Sequence, residues 1–183
     1  MDLRRFHGRR RAVKDGISID EARASFLQAM AEAAASVTLV TTDGPAGRFG
    51  VTVSAFASVS ADPPMLLACI NRKSPAAAAI AANGGFCVNV LSAEQSHLAD
   101  VFAGRSERYP PYDFGCADWQ RAEGGWRLGD SIASFACALD REVAAGTHQV
   151  LFGRVLETRR ADQPCIGSLI YARRAYSIAQ PIL

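Results

Sequence analysis

Between Val37 and Ile178 the chain passes through one short β-branched or apolar run after another, divided by turn residues. It breaks into a helical pattern only twice along the way. Few folds satisfy that order. A doubly wound α/β sheet needs a helix between successive strands, and here strand runs follow one another directly. The pattern favours a mainly β chain with peripheral helices, an antiparallel sheet closed as a barrel.

The individual runs carry their own signals. Ser18 and Glu21 have capping-box spacing, and Ala22, Phe26, Ala29, Met30 and Ala33 recur at helical intervals, which predicts an amphipathic helix over 19–34. Val37–Thr42 and Phe49–Phe56 read as strands joined by the turn Asp43–Gly47, a hairpin. Met65–Ile70 is a continuous apolar run, as expected of a strand buried on both faces. Ser74-Pro75 opens an alanine-rich helix that Gly84-Gly85 ends. A strand over 86–91 and a helix over 93–102 follow. Residues 104–125, rich in Gly, Pro, Tyr and charge, read as a long functional loop, and strands over 131–143, 149–158, 166–171 and 175–178 complete the chain.

Of 183 residues, 49% are apolar and 21% charged, the balance of an ordinary globular protein. The net charge of +2 is unevenly placed. Residues 1–14 hold six bases against Asp2, and the remainder is mildly acidic. A domain over 18–183 that is itself acidic does not read as a nucleic-acid binder, and residues 1–17 are expected to form a basic, flexible arm. The longest uncharged run, 74–93, contains Pro75, Asn83, Gly84, Gly85 and Asn89, which argues against a membrane span. Five cysteines (Cys69, Cys87, Cys116, Cys137, Cys165) show no CxxC pair, and three histidines lie far apart. Neither a metal site nor a disulfide framework is indicated. Cys69, Cys87 and Cys137 read as buried free thiols, and a reducing cytoplasm is the expected location.

No GxGxxG, GxxxxGK[ST] or GxSxG pattern occurs, so the common dinucleotide, phosphate-loop and hydrolase motifs are absent. Three weaker features remain. In Gly50–Phe56, Thr52 and Ser54 alternate with Val51, Val53 and Ala55, which gives a hydroxyl face and an apolar face. The hydroxyl face could serve a flat polar heterocycle or be merely solvated. Arg72 and Lys73 precede the helix start at Ser74, where first-turn N–H groups and the helix dipole favour an anion such as a phosphate. Gly146-Thr147-His148 puts a histidine at a strand entrance, where it could bond a carboxamide or donate a proton.

Taken together and in order, GVTVSAFASVSADPPMLLACINRKS, GGFCVNVLSAEQ, LADVFAG, AAGTHQVLFGRV and LIYARRAY resemble the short-chain flavin reductase family, over about 26–178. Within it the pattern is most similar to the FMN reductases of pyrimidine utilisation. The resemblance implies a homodimeric split β-barrel that passes hydride from NADH or NADPH to FMN (or FAD) and supplies a partner flavin-dependent monooxygenase. It implies ring contacts at Val51, Thr52 and Ser54, and a flavin and ribityl lining at Cys69, Ile70 and Asn71. It further implies a phosphate held by Arg72, Lys73 and Ser74, and a flavin border at Phe102 and Arg105. His148 would stand by the nicotinamide as the catalytic position; Thr147 precedes it where several relatives carry an acid. Two other uses of such a site stay open at this level: a corrinoid reductase with the same flavin seat, and a non-catalytic flavin- or haem-binding barrel.

Overall fold

The computed structural model describes residues 18–162 and 167–180. The arm over 1–17, Cys165 and the start of the strand expected at 166 lie outside the described residues. The chain divides into two units, Met1–Ala33 and Ala34–Leu183.

In the first unit the described element is α1 (Ile19–Glu32). The expected capping box is present: Glu21 N–H donates to Ser18 Oγ at 3.2 Å, and Ser18 N–H donates to the Glu21 carboxylate at 2.8 Å. The helix ends two residues before the expected boundary, where Ala33 turns to an extended ψ. Its apolar stripe is real, yet none of its residues is buried.

The second unit is mainly β. Its elements are β1 (Ala35–Ser36), β2 (Thr38–Thr42), β3 (Phe49–Val53), β4 (Phe56–Ala61), β5 (Pro64–Asn71), α2 (Pro75–Asn83), β6 (Gly85–Val90), α3 (Ser96–Phe102), β7 (Trp119–Ala122), β8 (Gly125–Leu128), β9 (Ala133–Ala145), β10 (His148–Arg160), β11 (Leu169–Ala172) and β12 (Ala175–Ile178). Seven strands form one antiparallel sheet in the order β3-β2-β6-β9-β10-β5-β4, beside a three-stranded sheet β1-β11-β12 and the hairpin β7-β8. Among the described residues no ladder joins β3 to β4, so the seven strands do not close into a hydrogen-bonded ring. Those two edge strands are nevertheless consecutive in the chain, linked through Ser54-Ala55.

Two apolar clusters sit on either side of the central strands. One gathers Val40, Val53, Leu66, Ala68, Ile70, Phe86, Val88 and Leu151 under Ala77 and Ile80 of α2. The other gathers Val37, Leu39, Leu98, Val101, Phe102 and Leu128 around α3 and β8. Being covered on both faces, β2 is buried along all five residues. The sequence reading gave that role to residues 65–70. In the structure β5 buries Leu66, Ala68 and Ile70 inward, while Met65, Leu67 and Cys69 on its outer face stay half-exposed. The reason is position: β5 stands next to the edge strand β4, beyond the reach of the second cluster. The cysteines divide in the same way, with Cys87 and Cys137 buried and Cys69 only half-buried.

The expected hairpin is present, with Thr38 opposite Val53 and Thr42 opposite Phe49. Asn83 at the end of α2 fastens its turn, donating to Thr42 Oγ1 (3.1 Å) and to the Gly47 carbonyl (3.0 Å) while accepting from Ala46 N–H (2.8 Å). The loop expected over 104–125 contains more order than foreseen, including β7. Strands β9 and β10 run 13 residues each and bend at two register shifts, between Phe152/Gly153 and Val155/Glu157.

Candidate active site

The outer face of β3 is the place to begin. Val51 and Val53 turn inward to the first cluster. Gly50 and Thr52 turn outward toward α3, as the two-residue period requires. Gly50 is bare for a steric reason: a Cβ there would lie 2.5 Å from Phe102 Cε1. The Thr52 hydroxyl donates to the Ala99 carbonyl at 2.6 Å and so ties β3 to the middle of α3. The hydroxyl face is therefore only partly available to a ligand. Thr52 is committed within the fold, and Ser54 is exposed, its hydroxyl unpartnered among the described residues.

Two clefts flank this strand. A cleft of about 200 Å³ is lined by Val37, Thr52, Ser54, Ala103, Arg105, Tyr171 and Tyr176. Arg105 is fixed there by Asp100 and Tyr176, with its Nη2 2.8 Å from the phenol oxygen. A second cleft of about 260 Å³ is lined by Arg48, Phe49, Gly50, Ser74, Pro75, Ala76, Tyr112 and Phe114. Gly50 to Ser54 spans about 13 Å at the usual strand rise of about 3.3 Å per residue. A tricyclic ring in the first cleft and a phosphate in the second would be bridged by that reach.

The phosphate candidates occupy different places. Ser74 is the N-cap of α2 with Pro75 just inside the helix, yet its hydroxyl caps no backbone N–H and is left for another acceptor or donor. Across the cleft the Arg48 guanidinium lies over the Phe114 ring (4.5 Å) and the Trp126 ring (5.1 Å). Arg72 lines a separate cleft of about 190 Å³ with Glu142 and Gln149, and not the one beside Ser74. Lys73 is exposed. Asn71 shapes this loop, accepting Lys73 N–H on Oδ1 (3.0 Å) and Ser74 N–H on its carbonyl (2.8 Å).

His148 opens β10 directly opposite Asn71 of β5. Arg72 N–H donates to the Thr147 carbonyl at 3.0 Å, joining the helix-start loop to the histidine turn. The Thr147 hydroxyl sits 2.9 Å from His148 Nδ1 and orients an otherwise exposed ring. The spacing of about 75 residues between these segments in the sequence is thus closed by a strand ladder.

Two of the expected contact residues have buried side chains, and a third is half-buried against the core. Ile70 is 1% exposed and Phe102 is fully buried, its ring edge-on to Phe114 and Trp119. Val51 packs on the inner core. As the free edge of the seven-stranded sheet, β3 does carry outward-facing backbone groups of the kind a ring imide could pair with. Cys69 lies on the outer face of β5 opposite Val150, and burial pushes its thiol pKa up.

Sequence reasoning missed Arg48, Asp100, Tyr171 and Tyr176. The last three lie within LADVFAG and LIYARRAY, but nothing local singles them out as meeting one another. Asp100 and Tyr176 lie 76 residues apart and meet only because the β11–β12 hairpin is laid beside α3. The long loop was at least a usable signal, since it supplies Tyr112 and Phe114. A larger cleft, about 610 Å³, lies elsewhere and is lined by Glu94, His97, Asp118, Asp130 and Asp162 among others. Its carboxylates would repel a phosphate or pyrophosphate, so size does not make it the ligand seat. Among the described residues no group of His, Cys, Asp and Glu could hold a metal ion.

The chain matches the family described as flavin reductase like domain over residues 30–180. It is 44% identical over 163 residues to the FMN reductase (NADH) RutF of Variovorax paradoxus (strain S110), with 87% of each chain covered. Among solved structures it is similar to BorF, the flavin reductase component of a bacterial two-component tryptophan halogenase, at 30% identity and a TM-score of 0.76, covering 87% of this chain and 99% of that one. It is also similar to the NADH:FAD oxidoreductase SgcE6 of Streptomyces globisporus C-1027, in complex with NAD and FAD fragments, at 25% identity and a TM-score of 0.78, covering 91% and 98%. A match that spans most of the sheet, with relatives covered nearly end to end, decides the matter: this chain belongs to the flavin reductase family.

Proposed function

We propose that this chain is an NADH-dependent flavin reductase that takes FMN, or FAD, and hands the reduced flavin to a partner monooxygenase. The observation that carries the reading is the pair of clefts along one face of β3, one walled by tyrosines and holding Arg105, the other holding Arg48 and the unused Ser74 hydroxyl. The donor set fits a flavin: aromatic walls and a cation for the ring, a second cation and a hydroxyl for the phosphate. A flavin bound there supplies the hydride-accepting chemistry itself. The chain's own work is to hold and align. Ser54 and the outer backbone of β3 would orient the ring, and Ser74 with Arg48 would hold the phosphate. His148, held by Thr147, would stand at the nicotinamide side beside Asn71. No side chain in this account moves a proton; the residues would set the distance and angle at which the two rings are held.

The reading includes a homodimer in the cytoplasm. What supports the dimer is the outer face of β5, β9 and β10, where Leu67, Cys69, Val150, Phe152 and the 49%-exposed Val143 line up across the ladder. An antiparallel sheet that is apolar on both faces is suited to a second cover, and a flat face of this kind packs on its own copy. Among the described residues no helix is long and apolar enough to cross a membrane. The test is NADH oxidation at 340 nm with and without added FMN. Consumption that requires added flavin is expected. No consumption with FMN or FAD under either nicotinamide would overturn the reading.

A further inference from the structure

Tyr112, in the long loop after α3, has a backbone that a large side chain seldom takes, with φ at +62°. Among the described residues two other non-glycine positions have a positive φ, Arg173 and Arg174. Those two form the turn of the β11–β12 hairpin, between the paired Ala172 and Ala175, where that conformation is the rule. Tyr112 closes no hairpin. Its backbone is held by the end of α3: the Val101 carbonyl accepts Gly104 N–H at 3.1 Å and Tyr112 N–H at 3.0 Å. The ring lies over Gly104, where a Cβ would fall 3.2 Å from the phenol oxygen. A glycine or an asparagine would meet the backbone requirement with less strain. The core does not require a tyrosine either, since the residue is 49% exposed. An aromatic side chain kept at a strained, exposed position points to a use outside the fold.

The surroundings show what that use is. Tyr112 lines the cleft that also holds Arg48, Ser74 and Phe114. Phe114 is already engaged there: Arg48 covers its ring at 4.5 Å, and Phe102 and Trp119 pack on it with centroids 5.0 Å away. Among the described residues the Tyr112 ring pairs with no other aromatic ring and no cation. It is a fixed and uncovered ring face beside the group proposed to hold the phosphate. FMN ends at that phosphate. FAD continues from it through a second phosphate and a ribose to an adenine. A flat base needs little more than a ring face to stack on, and a ring held in place beforehand spares the cost of ordering it on binding.

We infer that Tyr112 is a specificity-determining residue on which the adenine of FAD stacks, so that it sets the affinity for FAD relative to FMN. The inference rests on the flavin reading above and adds to it which residue meets the part of FAD that FMN lacks.

The experiment measures Kd for FMN and for FAD by calorimetry, and KM for NADH, in the wild type and in Tyr112→Leu, Tyr112→Gly and Tyr112→Trp. Tyr112→Leu keeps an apolar side chain and removes the ring. It is expected to weaken FAD by about fivefold to twentyfold and FMN by less than about twofold, as the loss of one stacked base implies. Tyr112→Gly removes the ring and the backbone strain together, and it should lose FAD to the same extent, which assigns the effect to the ring and not to the strain. Tyr112→Trp retains a ring face and should hold FAD within about threefold of wild type. Equal losses of FMN and FAD in Tyr112→Leu would show a structural role only and overturn the inference. A raised KM for NADH with Kd for FAD unchanged would place the adenine of the nicotinamide cofactor there and overturn it too. A wild type that binds neither flavin at micromolar concentration would overturn the flavin reading itself, an outcome separate from the other two.

Discussion

The closest packing in the site is at Gly50, and replacing it with alanine tests whether β3 is held as described. An ideal Cβ there falls 2.5 Å from Phe102 Cε1, 2.7 Å from Cδ1 and 3.1 Å from Phe114 Cζ. Carbon atoms prefer about 3.5–4.0 Å, so something must move by about 1 Å. Phe102 cannot rotate out of the way. It is fully buried, and Phe114 and Trp119 stand edge-on to it at 5.0 and 5.6 Å. The backbone is not the obstacle, because Gly50 is not among the positive-φ glycines, and alanine there gains about 0.4–1 kcal/mol from the unfolded state. Overpacking costs about 1–3 kcal/mol, and with ring and strand both pinned the upper part of that range applies. The net loss of about 2 kcal/mol should lower Tm by about 4–8 °C for a chain of this size. Thermal unfolding followed by circular dichroism reads it directly. Phe102→Leu in the Gly50→Ala background should recover part of the loss, so the pair is non-additive by at least about 1 kcal/mol. Gly84→Ala is the contrast: its φ is +74° with nothing within 4 Å of a Cβ, so it pays backbone strain of about 1 kcal/mol and shows no coupling to Phe102. A Gly50→Ala protein as stable as wild type, or strict additivity with Phe102→Leu, would refute the packing argument.

Ser74→Asp puts a carboxylate where the phosphate would sit, so FMN affinity should fall at least tenfold while that of lumiflavin, which lacks the phosphate, stays the same; equal losses for both would move the phosphate elsewhere. His148→Ala should raise KM for NADH severalfold and leave the flavin Kd within about twofold, and the reverse split in steady-state and binding data would reassign the residue. Glu157→Gln tests a pair outside the site. The buried Arg127 guanidinium lies 2.8 Å from the Glu157 carboxylate, close but without good hydrogen-bond alignment, and the hydrogen-bonding field of Arg127, then of Arg159, holds the Glu157 pKa below its ordinary 4.5. A lowered carboxylate pKa contributes stability in full above the unfolded value and loses it as pH falls through the folded one. Wild type should therefore exceed Glu157→Gln by about 1 kcal/mol at pH 7, the 43% exposure of Glu157 keeping the figure small, and the two melting curves should converge below pH 4. A gap that persists in acid would mean the charge is not its source.

What could be read from the sequence was local, and what could not was a matter of which face or which distant segment a residue meets. The Ser18–Glu21 box, the Ser74-Pro75 helix start, the β2–β3 hairpin and β12 at Ala175–Ile178 each depend on a few neighbouring residues, and all are where the pattern put them. The continuous apolar run at 65–70 was ambiguous by nature. Periodicity says that both faces are apolar, but only sheet order says that the outer one has no cover within the described chain. Phe102 belongs to a motif that resembles the family's flavin border, yet its direction is set by the missing side chain at Gly50, fifty-two residues earlier. Arg72 and Ser74 are neighbours but one residue of spacing and the turn at Asn71 send them to different clefts. Arg48 lies in TTDGPAGRFGVTVSA, a segment similar to the family's, but nothing in it singles out that arginine. Its place is fixed by rings at Phe114 and Trp126, which arrive through a loop and a hairpin.

The site residues come from far-separated segments, and the way they are tied together bears on what the clefts can do. The ties join segments far apart in the chain: Thr52 to Ala99, Asp100 to Tyr176, Arg72 to Thr147, and Asn83 across the β2–β3 turn. The fold uses Thr52 and the phenol of Tyr176 to hold the walls, and among the described residues it leaves the hydroxyls of Ser54 and Ser74 unspent. A cleft built in this way offers a small number of fixed donors and otherwise apolar or aromatic walls. Affinity for a flat ring in such a place comes from contact area and a few aligned bonds, and stays moderate because both clefts are small and open to solvent. That is the balance a protein needs if flavin is to leave after reduction, since a seat that gripped both redox forms strongly would keep its product.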